Sequence, residues 1–470
     1  MKKNYLYNLV YQILILIVPL ILIPYLTQTI GIKGIGIYNY TFSIISYFVL
    51  FTLLGMNIYG SRKIAQSTRN EFWEIYLVQL VSFVFLSLLL FVIITFIDIK
   101  YKNYLIFQVP LFISALFDVN WYFVGKQYFK MIVIRNTFIK LLTLLLVYLL
   151  VKNTNDLDKY IFIMSSGTLL SNLIMWPRLL KEVEKPILKF NKGFFKKHLK
   201  GSIILFVPVI SISIYKLLDK IMLATFSNVT QLGFYSTALQ FNLVQTTIIA
   251  SLGVVMMPKM SKMNLNKNKN DIDKIIRKSM KFSIFIAFGL SVGIYTISPY
   301  FISLYLGNNY AYVSELIEIL VPVGVIIAWA NVIRTQILLP RNMDKFYMIS
   351  ILIGALFSVL LNIFLIPQFG AMGAVYTAII TESIVMLLQT YFVKEIIEIK
   401  NYFKDSLIVI PSSLILWVFL KLTIPYMYSN YMEVLIVVIV ASLLYVLVYV
   451  LLDNKIDILC TLKKRKVVNK

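Results

Sequence analysis

Charge is scarce in this 470-residue sequence: 14% of residues are Asp, Glu, Lys or Arg, and the 21 acidic residues are outnumbered by 45 basic ones. Cysteine and histidine occur once each, as Cys460 and His198. A single cysteine excludes an intramolecular disulfide. The lone histidine, in a Lys-rich stretch, has no neighbours from which a metal site is built, and reads as a solvated linker residue. No Gly-x-x-x-x-Gly-Lys-Ser/Thr loop is present, so ATP hydrolysis by this chain is not expected. Polar stretches long enough for a separate soluble domain are missing too.

Apolar residues fill the space instead. They make up 60% of the chain, and the mean hydropathy is +0.83. Runs such as Leu77 to Ile97 and Leu435 to Leu452 are continuous and long enough for helices crossing roughly 30 Å of hydrocarbon. In lipid every backbone N–H and C=O must find a partner inside the protein, which leaves helices or a closed barrel. Barrel strands are short and alternate in polarity, and these runs do neither. The expected class is an all-α polytopic membrane protein.

Fourteen spans are predicted, at 5–30, 36–60, 74–97, 103–124, 134–152, 159–178, 202–226, 231–257, 280–306, 313–339, 346–366, 371–393, 405–425 and 431–452. Met1-Lys2-Lys3 followed by apolar residues is also the form of a signal peptide. The stretch from Val10 to Ile30 is longer than a signal core and lacks an Ala-x-Ala site, so a first span is expected. A net charge of +24 raises the question of nucleic acid, and its placement answers against it. With residues at span ends counted in the loops, 35 of the 45 Lys and Arg fall on the N-terminal side of the membrane and 5 on the other. Basic loops resist translocation and favour anionic lipids, so both termini are expected in the cytoplasm of a bacterial cell. Cys460 then sits in a reducing cytoplasmic tail.

Loops 178–201 and 258–281 carry eight basic residues each. The first reads as a linker, giving an N-terminal six-helix lobe with its linker (1–200), a second six-helix lobe (201–400), and an appended helix pair with a basic tail (401–470). Two short echoes accompany this division: Gly36-Ile37-Tyr38 with Gly233-Phe234-Tyr235, and Val109-Pro110 with Val321-Pro322. Pro19, Pro24, Pro208 and Pro322 interrupt spans. Each removes a helical hydrogen bond, either as ordinary membrane-helix proline or beside a substrate cavity.

Five basic residues fall inside spans: Lys140, Lys216, Lys220, Arg334 and Lys421. Charges there are costly and usually face a polar cavity or one another. Lys216, Asp219 and Lys220 stand at i, i+3 and i+4, on one helical face, where one carboxylate cannot neutralise two lysines. Arg334 suits bidentate recognition of phosphate oxygens. Lys140 and Lys421 are equally explained by snorkelling to the interface. Such cations imply an anionic substrate, with Lys216, Lys220, Arg334, Asp219 and Lys140 as its candidate ligands. Asp118 and Glu382 are candidates for coupling to H⁺ or Na⁺, or for a buried ion pair. The 31 Tyr and 33 Phe suit interfacial belts and packing, with stacking on sugars as the alternative.

Several segments carry a family resemblance: Gly36-Ile-Tyr with Tyr59-Gly60-Ser61-Arg62-Lys63-Ile64-Ala65, and Asp118-Val-Asn-Trp121-Tyr-Phe-Val-Gly125 with Arg135-Asn136. Leu218-Asp219-Lys220 and Ile366-Pro367-Gln-Phe-Gly370-Ala-Met-Gly373-Ala374 leading to Glu382 extend it over nearly the whole chain. The sequence resembles the polysaccharide-biosynthesis flippases of the multidrug/oligosaccharidyl-lipid/polysaccharide exporter superfamily. The resemblance implies two six-helix lobes in a V and alternating access. It also implies a non-enzymatic transporter that moves a polyprenyl-diphosphate-linked oligosaccharide, an O-antigen, capsule or exopolysaccharide unit, to the outer leaflet. Arg62 and Lys63 then mark a cytoplasmic gate motif, no cofactor is expected, and polymerases and glycosyltransferases of the same pathway are expected partners. Where the family often has Arg, this chain has Lys220. An ion-coupled drug or cation antiporter is the alternative from the same superfamily, expected to show acidic cavity charges. A membrane polymerase or glycosyltransferase is the alternative from another class, expected to need a large outer loop.

Overall fold

The computed structural model describes residues 17–66, 71–184, 192–263, 269–427 and 430–468. The Met1-Lys2-Lys3 start, the first part of the first span, and stretches of both large basic loops lie outside these residues. All regular structure among them is helical. Chain contacts gather it into two compact units, one of residues 1–236 with 359–371 and one of residues 237–358 with 372–470.

The first unit holds α1 (Ile17–Thr29), α2 (Gly31–Leu53), α3 (Met56–Gln66), α4 (Phe72–Phe96), α5 (Lys102–Phe107), α6 (Val109–Leu116), α7 (Asn120–Gly125), α8 (Phe129–Leu150), α9 (Leu157–Leu173), α10 (Trp176–Glu182), α11 (Lys192–Ser213) and α12 (Asp219–Phe226). It also takes in the start of α13 (Val229–Met263). The second unit holds the rest of α13, α14 (Lys269–Leu306), α15 (Ala311–Leu320), α16 (Pro322–Ile333), most of α17 (Asp344–Phe369), α18 (Ala371–Phe392), α19 (Ile399–Ser406), α20 (Val409–Thr423) and α21 (Tyr431–Val468).

Twelve helical stretches among the described residues are long and apolar enough to cross a membrane. They account for twelve of the fourteen expected spans. The other two fall on α1 and on α9, which at 17 residues is short. Large side chains such as Phe85 and Phe91 stand about two-thirds exposed, as lipid-facing residues do.

Both Val-Pro pairs open the second piece of a broken span. Pro110 lies in the first turn of α6 and Pro322 in that of α16, where the missing N–H has no helical partner to lose. Pro208, by contrast, sits inside α11. The turn between α2 and α3 is made by Leu54 and Gly55, both with positive φ (41° and 76°). A Cβ on Gly55 would approach the backbone of Phe206 to 3.0 Å. Two π-helical segments also interrupt the α pattern, Ile214–Leu218 between α11 and α12, and Arg334–Leu338 after α16. Wide turns of this kind are uncommon and gather at functional sites.

Candidate functional site

The charges flagged in the seventh span lie on and just beyond the first wide turn. Lys216 is within it and exposed, while Asp219 and Lys220 open α12. The i, i+3, i+4 spacing predicts one shared face, yet the three differ in burial. Asp219 is 4% exposed and Lys220 is intermediate. A carboxylate that deep in apolar surroundings needs donors; Asn362 of α17 donates from Nδ2 to its Oδ1 at 2.7 Å. Lys220 donates from Nζ to Asn39 Oδ1 at 3.2 Å, and Asn39 in turn donates to the Ile35 carbonyl. Tyr47 donates to the Ser213 carbonyl, where the wide turn begins (3.1 Å).

Beside these contacts α2 also packs closely on the start of α13, and glycine allows it. A Cβ on Gly36 would lie 1.7 Å from the Val229 carbonyl oxygen, and one on Gly233 would lie 2.1 Å from that of Ile32. The two halves of the Gly-Ile-Tyr/Gly-Phe-Tyr echo thus pack on each other. Beside them Gln231 accepts the Ala371 N–H at 3.0 Å, just after Gly370, whose φ is +57°. The Gly370-Ala-Met-Gly373 motif therefore begins as a turn docked on the start of α13.

In the second unit, Arg334 begins the other wide turn. Its Nη2 donates to Asn331 Oδ1 at 2.7 Å, and its guanidinium lies 5.8 Å from the Tyr347 ring centroid. Asn331 also donates to the Ile249 carbonyl of α13, and Gly253 leaves room for it, since a Cβ there would stand 2.8 Å from its amide. Glu382 is half-buried in α18 and Lys140 half-buried in α8. Lys421 lies 5.8 Å from the Trp417 ring centroid. Each wide turn thus pairs a cation with an asparagine, Lys220 with Asn39 and Arg334 with Asn331. A search for ionisable residues overlooks asparagines; polar residues inside apolar runs would have signalled Asn39, Asn331 and Asn362.

The remaining flagged residues form a junction in the first unit. Asp118 accepts from the backbone and side-chain N–H groups of Asn120 (3.0 and 2.6 Å), and Asn120 Oδ1 accepts from Arg135 at 2.9 Å. Asn172 of α9 joins this network and donates to the Ser114 carbonyl. Trp121, fully buried, stacks on Phe72 and donates to Gln79. Gly60 and Gly125 let α3 and α7 touch: a Cβ on Gly60 would meet the Trp121 ring at 2.6 Å, and one on Gly125 the Ser61 carbonyl at 2.8 Å. The motif carrying Arg62 and Lys63 therefore packs on the motif carrying Asp118, with Arg62 exposed and Lys63 between exposed and buried.

His198 corrects the expectation of a solvated residue. It is buried, its Nδ1 is 2.8 Å from the Tyr59 hydroxyl, and its Nε2 is 3.6 Å from a Glu74 carboxylate oxygen. The Lys-rich segment around it is the beginning of α11. Helical periodicity turns one side of that segment inward, onto α3 and α4.

Residues 1–264 match the protein family described as "Polysaccharide biosynthesis protein". A putative O-antigen transporter of Escherichia coli (strain K12) is 23% identical over 406 residues, covering 84% of this chain and 97% of that protein. Among solved structures, the lipid II flippase MurJ in an inward closed conformation aligns with a TM-score of 0.73. Its identity is 16%, with 97% of this chain and 99% of that chain covered. An inward-facing multidrug resistance transporter of the MATE family of the MOP superfamily aligns with a TM-score of 0.58 and 12% identity, over 80% and 94% of the two chains. Identities this low speak for a shared transporter fold.

Proposed function

Because the chain belongs to the polysaccharide biosynthesis protein family, we propose that it flips a polyprenyl-diphosphate-linked oligosaccharide from the cytoplasmic to the outer leaflet by alternating access. The cargo feeds surface polysaccharide synthesis. The observation that carries the reading is Lys220, a cation inside an apolar span, held by Asn39 beside a wide helical turn. With Asp219 engaged by Asn362, the segment keeps an excess of positive charge from Lys216 and Lys220, which suits a diphosphate or acidic sugars. Arg334 offers a fork for phosphate oxygens. The names of the matched proteins, an O-antigen transporter and a lipid II flippase, support a glycan-lipid cargo.

The basic loops orient the chain with both termini in the cytoplasm of a bacterial cell. No bond is made or broken in this step, so the protein acts as a transporter rather than an enzyme, receiving its cargo from glycosyltransferases and delivering it to a polymerase. Glu382 and Asp118 are the candidates for coupling to H⁺ or Na⁺, or for a buried ion pair; Asp118 accepts from Asn120, which in turn accepts from Arg135. The matched multidrug resistance transporter shares the fold, but the two lysines against one aspartate in 216–220 disfavour the cationic cargo of a drug or cation antiporter.

Lys220→Gln and Arg334→Gln are expected to remove charge-assisted contacts worth roughly 1.5–3 kcal/mol each, or about ten- to a hundredfold in affinity. Surface polysaccharide should fall and the lipid-linked unit should accumulate on the cytoplasmic leaflet. Full export by both variants at normal membrane levels would sink these residue assignments.

A further inference from the structure

A second cation-lined feature lies in the first unit, away from residues 214–220. A cavity of about 580 Å³ runs along the outer side of α8 toward the end of α9 and the start of α10. Its apolar part is made by Met131, Ile134, Phe138 and Ile174. Ile134, Phe138 and Ile174 are 54%, 61% and 47% exposed, so the cavity opens outward, to lipid rather than to the protein interior. Lys130, Arg135 and Arg178 also line it, Lys130 and Arg178 exposed and Arg135 buried.

We propose that this groove binds one anionic phospholipid of the adjoining leaflet, with its phosphate at the Lys130–Arg178 rim and an acyl chain along Ile134 and Phe138. Three observations lead there. First, from Tyr128 to Phe138 the groove follows α8 for roughly 15 Å at 1.5 Å per residue, about half of a 30 Å hydrocarbon core. That is the depth of a chain rooted in one leaflet.

Second, the cations are set in place. Arg178 lies 4.8 Å over the Tyr128 ring and donates to Glu182 at 3.0 Å, while Arg135 is braced by Asn120 and Asn136. The carboxylates facing them are Glu182 and, behind Asn120, Asp118. Lys130 and Arg178 are both exposed, so each can turn its charge to a headgroup. Third, the rim's place at the membrane-water boundary puts that charge at headgroup depth. Under the orientation proposed above, this is the cytoplasmic leaflet, where anionic headgroups attract basic residues by about 1 kcal/mol each. None of Lys216, Asp219 or Lys220 lines the groove, so phospholipid and transported cargo are separate ligands.

Native mass spectrometry of the full-length protein tests this, with phosphatidylglycerol, phosphatidylethanolamine, a polyprenyl diphosphate and glycerol phosphate as probes. Wild type is expected to retain one phosphatidylglycerol at least about tenfold more tightly than phosphatidylethanolamine. Lys130→Gln with Arg178→Gln, both at the surface, should abolish that preference. Ile134→Trp, which fills the groove and leaves the charges, should remove the adduct. Equal retention of both phospholipids, or wild-type retention by the charge variant, would overturn the proposal. Displacement by glycerol phosphate would show a simple anion site, and displacement by polyprenyl diphosphate through these same residues would show a cargo entrance; either result also overturns it.

Discussion

At Gly36 the Val229 carbonyl occupies the space that a side chain would need, and at Gly233 the Ile32 carbonyl does the same. Neither neighbour is a flexible side-chain tip, so an added methyl must push α2 and α13 apart. Gly36→Ala and Gly233→Ala are each expected to cost about 1–3 kcal/mol, the usual range for overpacking. They share one crossing, so the double variant should cost less than the sum. Gly293, in the interior of α14 with nothing within 4 Å of its would-be Cβ, is the control. Gly293→Ala should be neutral or stabilising by up to about 1 kcal/mol, because glycine is a poor helix former. Thermal unfolding in micelles reads all four, and unchanged midpoints for Gly36→Ala and Gly233→Ala would contradict the crossing. The glycine motifs were visible in the sequence as a repeated Gly-x-Tyr pattern, although Gly293 shows that a glycine does not by itself mark a close approach. Asn39 and Asn362 were not, because an asparagine acquires meaning only from the partner that folding brings to it, here Lys220 and Asp219. His198 departs from its sequence expectation for a related reason: its neighbours in sequence are lysines, while its neighbours in space are Tyr59 and Glu74.

Apolar runs located most helices, since length acts locally; Pro322, flagged inside a span, does mark a break, whereas Pro208 sits in a continuous helix and the break before Pro110 was not expected. The wide turns at 214–218 and 334–338 have no comparable signature, because their extra residue is accommodated by packing rather than by a residue type. One element end can be tested by pH. Asn153 caps the turn Thr154–Asp156 ahead of α9, and Asp156 completes a capping box. The Asp156 carboxylate accepts from Lys159 Nζ at 2.6 Å and from the backbone N–H groups of Lys152 and Asn153. The Lys159 contact, with those backbone donors, holds its pKa below the usual carboxylate range. A depressed carboxylate stabilises the fold above its unfolded pKa of about 3.9 and loses that contribution as pH falls through the lower folded value. Hydrogen exchange over residues 151–157, corrected for intrinsic rates, should be flat from about pH 8 to 5 and rise only below about 4. Asp156→Asn should exchange faster across the whole range; wild-type exchange by that variant at neutral pH would show that the carboxylate does not hold the turn.

With α1 taken as a crossing, the parity of the whole chain rests on α9. At 17 residues it spans about 26 Å, a little short of the hydrocarbon thickness of roughly 30 Å. It does not end in isolation, however, since α10 begins at Trp176 and Trp176 donates to the Phe117 carbonyl at 3.0 Å, anchoring an aromatic of the kind found at membrane interfaces. The basic residues favour the same reading, because loop 178–201 after α9 carries eight Lys and Arg, whereas Lys152 and Lys159 beside its start are accompanied by Asp156 and Asp158. In the proposed orientation, crossing by α9 puts residue 155 outside and residue 181 inside. Cys460 is the one native thiol, so Cys460→Ser supplies a clean background. In it, Asn155→Cys, at an exposed position, should react with a membrane-impermeant maleimide on intact cells. Lys181→Cys, also exposed, should react only after permeabilisation. If both react from outside, α9 does not cross, every later span is inverted, and the two ends lie on opposite sides of the membrane. If both labels are reversed, the orientation is inverted and so is the direction of transport. The expected pattern alone leaves the basic loops and the rim of Lys130 and Arg178 facing the cytoplasm, where a lipid-linked cargo is assembled and anionic headgroups are at hand.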